Sequence, residues 1–383
     1  KFTAQRGLDT SLDESKSKYK VAHWLQEIAR SIVSFKLSGK TSHALDKNDT
    51  LVVEYLNARE SHFKVIVLQF IQMIGFKVLV TGGLLLIGGL LVLNQEMNIG
   101  QFVAAEIIIL LVISSVEKLI LGLETFYDLL TSLEKMGQVV DKELEQQNGE
   151  KPFLENQAFT IELNEISYSV PQPKREIISN LSLTISPSCT ILLRGSSGSG
   201  KNTLLRIIAG IIEPDSGGVY VNGVSLKGMN LNYYRSHLGQ SLPEESPFEG
   251  TILHNITFGD KDTTNEQVYW ALDKVGLTDF VKKQPEGLNT ILYPEGKQIP
   301  HTVSKKIVLA RSIVRKPKLL ILKDPLDQFN VEEADKILSF LSDPSNGWAL
   351  LVVSENDKWI KKCSRIITME KGQIINEIEG KDA

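Results

Sequence analysis

The sequence is short of the residue types that build disulfide frameworks and metal clusters. Its 383 residues include 2 cysteines and 6 histidines. Cys189 and Cys363 are far apart in the chain, and neither lies beside a histidine cluster. This spacing excludes a zinc ribbon and a disulfide-stapled secreted scaffold, so we expect two buried, reduced thiols. The formal net charge is −4, and with no excess of positive charge nothing indicates nucleic acid as a partner.

Signal-peptide features, internal repeats and low-complexity tracts are also missing. The chain begins with Lys1 rather than with a methionine, and we therefore expect it to be a segment of a longer protein. Its length predicts two or three structural units rather than one core.

Long hydrophobic runs are present in the first third of the chain. Between residues 78 and 93 the only polar side chain is Thr81, and a second apolar stretch over residues 99–123 carries Glu106, Glu117 and Lys118. About twenty apolar residues suffice to cross a bilayer. The two stretches predict a transmembrane helical hairpin with spans over residues 70–93 and 99–123. The alternative is a buried helical hairpin in a soluble protein.

Composition divides the rest of the chain. Residues 1–64 are polar and helix-forming, with Trp24, Leu25, Ile28, Ile32 and Phe35 at spacings of three and four. This amphipathic stripe predicts packing against a neighbouring helix. Residues 138–157 are charged and predict a linker. From residue 158 to the C-terminus the pattern alternates between strands and helices.

One short segment carries the strongest chemical signal. It follows a buried strand over residues 190–193 and precedes a helical stretch, which is the context of a phosphate-binding loop. Backbone N–H groups of such a loop wrap a polyphosphate, and its lysine reaches the outer phosphates. The loop consists of Gly195, Ser196, Ser197, Gly198, Ser199, Gly200, Lys201, Asn202 and Thr203.

Further motifs follow the loop in a fixed order. They are Pro247 to Ile252, Asn255-Ile256, Gly296, Leu309-Ala310-Arg311, the strand Leu319 to Leu322, and the hairpin from Arg365 to Ile374. In the first third, Glu27 with Phe35-Lys36-Leu37 and Asn98 to Phe102 belong to the same series. In this order the chain resembles an ABC exporter half-transporter, from midway through its membrane domain to its end.

The resemblance implies a fold and a setting. Residues 1–137 would form part of an ABC membrane domain, with a cytoplasmic coupling region over residues 1–64 and an α-helical transmembrane hairpin. Residues 158–383 would form an α/β P-loop NTPase domain of the ABC type in the cytoplasm, and the protein would be a multi-pass protein of the cell (inner) membrane. ATP is the implied ligand, and the implied partners are a second half-transporter, membrane lipid and a periplasmic or adaptor protein.

Several positions depart from the pattern on which ATP hydrolysis depends in this family. Lys323 stands where an aspartate holds Mg²⁺, and Asn202 stands where a hydroxyl would bind the metal, so no metal site is expected. Asp324 takes the catalytic-carboxylate position with a shorter side chain than glutamate. Glu355 takes the position of the switch histidine and can only accept hydrogen bonds. Lys323 either replaces part of the metal's charge or pairs with Asp324, Asp327 or solvent.

The remaining motifs are altered as well. The signature loop, usually LSGGQ, reads Ile299-Pro300-His301-Thr302-Val303, and Pro300 offers neither a hydroxyl nor an N–H to a partner's phosphate. The glutamine of the metal-sensing loop falls at Pro243 or Glu244, with Gln240 as a neighbour. The adenine-stacking aromatic aligns with Val170, while Tyr168 lies two residues earlier.

These residues favour an ABC exporter subunit of unknown substrate with impaired or absent ATP hydrolysis at its own site. Two alternatives stay open. One is a non-hydrolysing scaffold or nucleotide-sensing regulatory subunit of a secretion complex. The other is an ordinary active ATPase whose unusual residues compensate one another.

Overall fold

A computed structural model describes residues 2–39, 41–145, 148–152 and 159–380. The predicted linker over residues 138–157 therefore lies partly outside the described residues, as do residue 158 and the last three residues. The chain forms two compact units, Lys1–Leu144 and Glu145–Ala383.

The first unit is helical throughout its described secondary structure. Its helices are α1 (Phe2–Arg30), α2 (Ile32–Leu37), α3 (His43–Leu93) and α4 (Ile99–Val140). The break between α3 and α4 falls at the predicted turn. There Asn98 accepts a hydrogen bond from the backbone N–H of Gln101 at 2.8 Å, and the Gln101 side chain accepts one from the Asn98 N–H. This capping box starts α4.

α3 and α4 are both long and apolar enough to cross a membrane, by length and composition. Only 6% of the most apolar window of each helix is buried inside the unit. A core helix of a soluble protein buries most of such a window, so the low burial favours the predicted membrane spans over the buried hairpin.

The two apolar helices approach closely at small residues. A Cβ on Gly88 of α3 would lie 2.5 Å from the Phe102 ring of α4, so the glycine leaves room for that ring at the crossing. Farther along, Lys77 and Glu117 form an ion pair at 3.3 Å. The predicted packing of the amphipathic stripe in the first two helices is wrong in part. Trp24 is buried, but Leu25 and Ile32 of the same stripe are exposed.

The second unit begins with an antiparallel sheet in the order β2-β1-β4-β5. These strands are β1 (Ile161–Pro171), β2 (Lys174–Ile185), β4 (Ser216–Val221) and β5 (Val224–Ser225). A two-stranded sheet pairs β7 (Gly250–Thr251) with β8 (Ile291–Leu292).

The central sheet has the order β12-β11-β3-β10-β9-β6, and its strands are parallel except for β12. The strands are β3 (Thr190–Arg194), β6 (Leu238–Ser241), β9 (Leu319–Lys323), β10 (Ala349–Val353), β11 (Arg365–Glu370) and β12 (Gln373–Glu379). The helices of this unit are α5 (Lys201–Ile208), α6 (Leu231–Ser236), α7 (Ile252–Thr257), α8 (Asn265–Lys274), α9 (Thr278–Lys282), α10 (His301–Ile313) and α11 (Val331–Leu341). Short 3₁₀ turns span Leu226–Gly228, Gly287–Asn289, Pro294–Gly296, Pro344–Asn346 and Asp357–Trp359.

Both faces of the central sheet are covered, which explains its continuous hydrophobic strands. Ile191 and Leu193 of β3 join a core with α5 and the antiparallel sheet. Leu192, between them, joins a second core with α7, α8, α10 and α11. The carboxyl ends of β3, β9 and β10 therefore meet at one edge of a rigid sheet, where ligands of open α/β sheets bind.

Candidate nucleotide-binding site

The predicted phosphate loop connects β3 to α5. Gly195 follows β3 with a φ of 145°, and a Cβ there would lie 2.1 Å from the Met369 carbonyl oxygen. Gly200 closes the loop with a φ of 101°, a conformation that strains any other residue. The backbone thus turns from the strand into a helix N-terminus, where successive N–H groups can bind phosphate oxygens.

The other predicted loop residues are distributed between loop and helix. Ser196, Ser197 and Gly198 are exposed, Ser199 is buried, and Asn202 and Thr203 lie in the first turn of α5. Asn202 is exposed. An exposed amide gives no fixed oxygen for a metal at this position.

Lys201 is folded over the loop. Its Nζ donates hydrogen bonds to the carbonyl oxygens of Gly195 and Ser196 (2.9 Å for the latter) and to Ser199 Oγ at 3.3 Å. Burial lowers the pKa of the Lys201 ammonium, and the nearby Glu355 carboxylate opposes that shift. The ammonium therefore lies at the mouth of the loop, where the outer phosphates of a nucleotide would lie.

Glu355, at the switch-histidine position, contacts the phosphate loop. Its Oε1 accepts a hydrogen bond from the Gly195 N–H at 3.4 Å, and its Oε2 lies 3.5 Å from Arg194 Nε. Arg194 also pairs with Asp357 at 3.1 Å. A carboxylate that holds a loop N–H repels an incoming phosphate, whereas a histidine could donate to it.

Lys323 ends β9, which is separated by β10 from β3, the strand that leads into the loop. It pairs in register with Val353 of β10, and Val353 pairs with Leu193 of β3. Lys323 is half-buried. Within the described part of the chain it forms no ion pair at 4.0 Å or less, with Asp324, Asp327 or any other acid. Of the alternatives for Lys323, a close ion pair with either aspartate is not formed, although its charge still acts on Asp324.

Asp324 follows Lys323 in a left-handed conformation, with a φ of 44°. Its N–H donates to the Val353 carbonyl oxygen at 2.8 Å, which fixes the turn. Burial raises the pKa of the Asp324 carboxyl, and the Asp327 carboxylate adds to the rise. A hydrogen bond from Ser354 and the charge of Lys323 oppose it. Asp324 is a carboxylate in the expected place, with one methylene less reach than a glutamate.

Lys323 and Asp324 face a cleft of about 780 Å³. Charged side chains of both signs line it: Glu244, Glu245, Glu295, Asp324 and Asp327 against Lys305 and Lys323. His301, at the start of α10, lines the same cleft. The cleft can therefore take polar groups of a ligand.

The altered signature segment keeps its helix. Pro300 precedes α10 with a φ of −55° and a ψ of 142°, and its carbonyl oxygen accepts the Ser304 N–H at 3.0 Å. Proline is well tolerated at a helix start because the first N–H groups lack partners there. The helix N-terminus thus remains, but the serine hydroxyl and the glycines that would approach a partner's phosphate are absent from this segment.

The candidates for the glutamine and adenine positions lie in different surroundings. Gln240 lies within β6 and pairs in register with Ile321, whereas Pro243 and Glu244 line the cleft. Glu244 forms an ion pair with Arg206 of α5. Tyr168 is half-buried and packs against the core on β1, and Val170 is exposed.

Two charged residues around the site, Arg194 and Glu245, were missed by the sequence reasoning, which named Arg311 only as part of a family motif. Arg194 directly precedes the loop, so its position was a usable signal. Glu245 and Arg311 form a buried pair at 3.7 Å, but they are distant in sequence, and no local pattern links them.

The residues fit a polyphosphate better than they fit a divalent metal. The loop glycines leave room for phosphate oxygens, and Lys201 supplies a positive charge. For Mg²⁺ the donor set is wrong, because an ammonium occupies the place of the metal-binding carboxylate. Among the described residues no group of three or more His, Cys, Asp and Glu side chains could hold a metal ion.

Comparison with known proteins identifies the second unit. Residues 178–327 match the profile of the ABC transporter family. An ABC multidrug transporter MDR2 from Trichophyton interdigitale is 30% identical over 236 residues, which cover 61% of this chain and 18% of the relative.

Two bacterial relatives extend into the helical unit. A putative export ATP-binding/permease protein from Rickettsia bellii is 26% identical over 381 residues, covering 99% of this chain and 64% of the relative. The leukotoxin translocation ATP-binding protein LktB from Mannheimia haemolytica is 27% identical over 359 residues, covering 92% and 50%. The chain thus spans from 18% to 64% of the length of these relatives.

The fold is also that of a solved exporter. A bacterial Atm1-family ABC exporter with ATP bound superposes with a TM-score of 0.85 at 16% identity, covering 100% of this chain and 67% of that chain. The match includes both the helical unit and the nucleotide-binding unit. Residues 178–327 thus carry an ABC transporter domain, and the fold of the whole chain is that of an ABC exporter, with a helical membrane region followed by an ABC nucleotide-binding domain.

Proposed function

We propose that this chain is a subunit of an ABC exporter whose own nucleotide site hydrolyses ATP slowly or not at all. The observation that carries the proposal is Lys323, which ends β9 where the family places a metal-binding aspartate. Phosphoryl transfer depends on positioned metal, carboxylate and cation groups that act on one transition state.

Two further changes act on the same reaction. Asp324 is shorter than glutamate, and a displacement of about 1 Å costs on the order of 10²-fold in rate. Glu355 places a negative charge at the loop where the family has a histidine. Since these groups work together, we expect hydrolysis near the uncatalysed level.

The chain would also contribute poorly to a partner's site. Its signature segment presents Pro300, His301 and Thr302 in place of serine and two glycines. We therefore propose that energy for transport comes from other sites in the assembly. A non-hydrolysing scaffold or nucleotide-sensing subunit of a secretion complex is the second candidate, favoured by the contact of Glu355 with the loop.

The proposed setting follows the family. We propose a membrane region over residues 1–137, a linker over residues 138–157 and a nucleotide-binding domain over residues 158–383. A second half-transporter would be the partner, in the cell (inner) membrane, together with membrane lipid and a periplasmic or adaptor protein. Cargo would leave the cytoplasm, and its identity is not specified by these residues.

Steady-state phosphate release tests the proposal. The chain would be purified, placed in lipid nanodiscs and assayed with saturating ATP and Mg²⁺. We expect the same rate of phosphate release for the unaltered chain and for Lys201→Ala, because neither protein should hydrolyse ATP. A rate that Lys201→Ala abolishes would contradict the proposal and favour the active ATPase.

A further inference from the structure

We propose that Lys323 takes the place of the metal ion, so that this site binds a nucleoside triphosphate in the absence of Mg²⁺. This inference rests on the proposed function, because it concerns the same site. It adds the form of the ligand: the metal-free polyphosphate, held between Lys201 and Lys323.

The position of Lys323 is the first support. Its register with Val353, and that of Val353 with Leu193, place it two strands from the start of the loop. Two interstrand spacings amount to about 10 Å between Cα atoms. At this edge of the sheet Lys323 and Lys201 are close enough for their charges to interact.

The availability of the ammonium is the second support. The two arginines near the loop are already paired: Arg194 pairs with Glu355 and Asp357, and Arg206 pairs with Glu244. Lys323 forms no such pair within the residues that the structure describes, although it is half-buried. A half-buried charge without a close partner costs free energy, and an anionic ligand would offset that cost.

The charge balance is the third support. In phosphate-loop enzymes the metal neutralises the β- and γ-phosphate oxygens. Here an ammonium stands in that place, so a divalent cation would meet like charge, while a phosphate would meet opposite charge. Five carboxylates line the same cleft against two lysines, so Lys323 alone does not make the cleft attractive to an anion. The N–H groups of the phosphate loop and the Lys201 ammonium must supply the rest of the attraction.

One contact must change when the ligand binds. Glu355 accepts a hydrogen bond from the Gly195 N–H, close to where phosphate would lie. The carboxylate is largely exposed, with a side-chain accessibility of 64%, so it can swing away while Arg194 stays paired with Asp357. Binding therefore needs a side-chain rotation and no rearrangement of the sheet.

Calorimetric titration with ATP tests the inference on the full chain in lipid nanodiscs, with EDTA in one series and saturating Mg²⁺ in the other. We expect ATP to bind in EDTA at least as tightly as with Mg²⁺. Lys323→Gln should weaken binding in EDTA by about tenfold, the effect of losing one favourable charge contact. Lys323→Asp should weaken binding in EDTA further and make it depend on Mg²⁺.

Lys318→Gln is the matched control, because Lys318 directly precedes β9 at the opposite end of the same strand. It should bind ATP like the unaltered chain in both series. Thermal unfolding of each variant would verify folding. If a variant does not fold, the two series on the unaltered chain still decide.

Binding that requires Mg²⁺, unchanged binding by Lys323→Gln, or no binding of ATP by the unaltered chain would each overturn the inference. None of these results measures ATP hydrolysis, so the proposed function would stand. Conversely, phosphate release that depends on Lys201 would contradict the proposed function, whatever the titrations give.

Discussion

At the scale of single residues, the site combines a retained loop with replaced partners. Gly195 and Gly200 adopt conformations that other residues avoid, and these conformations form the loop. Lys323, Asp324 and Glu355 surround it with charges that differ from the family pattern. The backbone geometry of a phosphate-binding loop is therefore retained, and our proposal is that the groups that drive hydrolysis are not.

Asp324 supplies a prediction with a pH dependence. Burial raises the pKa of Asp324, so the folded state binds this proton more tightly than the unfolded chain does. In the unfolded chain an aspartate has a pKa of about 3.9. Stability is therefore lost as the pH rises from about 4 through the raised pKa. We expect Asp324→Asn to raise the thermal midpoint at neutral pH, with the gain disappearing below about pH 4.

The measurement is thermal unfolding of the full chain across this pH range. Asparagine tolerates the left-handed backbone of this position, so strain should not mask the effect. Asp343 is the control of opposite sign, because hydrogen bonding by Ser345 lowers its pKa. Asp343→Asn should therefore give no gain at neutral pH. A lower midpoint for Asp324→Asn at neutral pH would contradict the explanation.

At the scale of elements, α10 is anchored by one buried arginine. Arg311 Nε donates to the Asn255 carbonyl oxygen at 2.7 Å, and its guanidinium lies 4.7 Å from the centre of the Phe258 ring. It also pairs with Glu245, whose pKa is raised by burial. Loss of Arg311 would leave that carboxylate buried and unpaired.

We expect Arg311→Ala to lower the free energy of unfolding of the nucleotide-binding unit by about 3 kcal/mol. The matched control is Arg315→Ala, one turn later, because its side chain is 43% exposed against 7% for Arg311. Loss of the exposed pair between Arg315 and Asp260 should lower the free energy of unfolding by about 1 kcal/mol or less. Denaturation followed by fluorescence of the buried Trp348 and Trp359 measures both. Equal losses would contradict the role of burial.

The elements also separate what the sequence could predict from what it could not. The strand, loop and helix around Lys201 and the buried strand before Lys323 were predictable, because hydrophobic runs and glycine spacing are local signals. The hairpin that ends the chain was predictable from the family resemblance. The pairing of Arg311 with Glu245 and the contact of Glu355 with Gly195 were not, since they join residues distant in sequence. That Lys323 has no ion-pair partner among the described residues likewise needed coordinates.

At the scale of the whole molecule, the two compact units differ in where their apolar side chains lie. The helical unit exposes apolar surface along α3 and α4, which fits a membrane environment. The second unit buries its apolar strands on both faces of a sheet and keeps charged groups at one edge. The chain joins an exporter-type membrane region to a nucleotide-binding domain with altered catalytic positions.

The most direct test of the central claim is the fate of nucleotide bound to the intact chain in lipid. ATP labelled on the γ-phosphate would be bound, incubated with Mg²⁺, and quenched in acid to separate ATP from released phosphate. We predict that the label is recovered as ATP, at the level found for free ATP in the same buffer. Release of phosphate that Lys201→Ala abolishes would contradict the account.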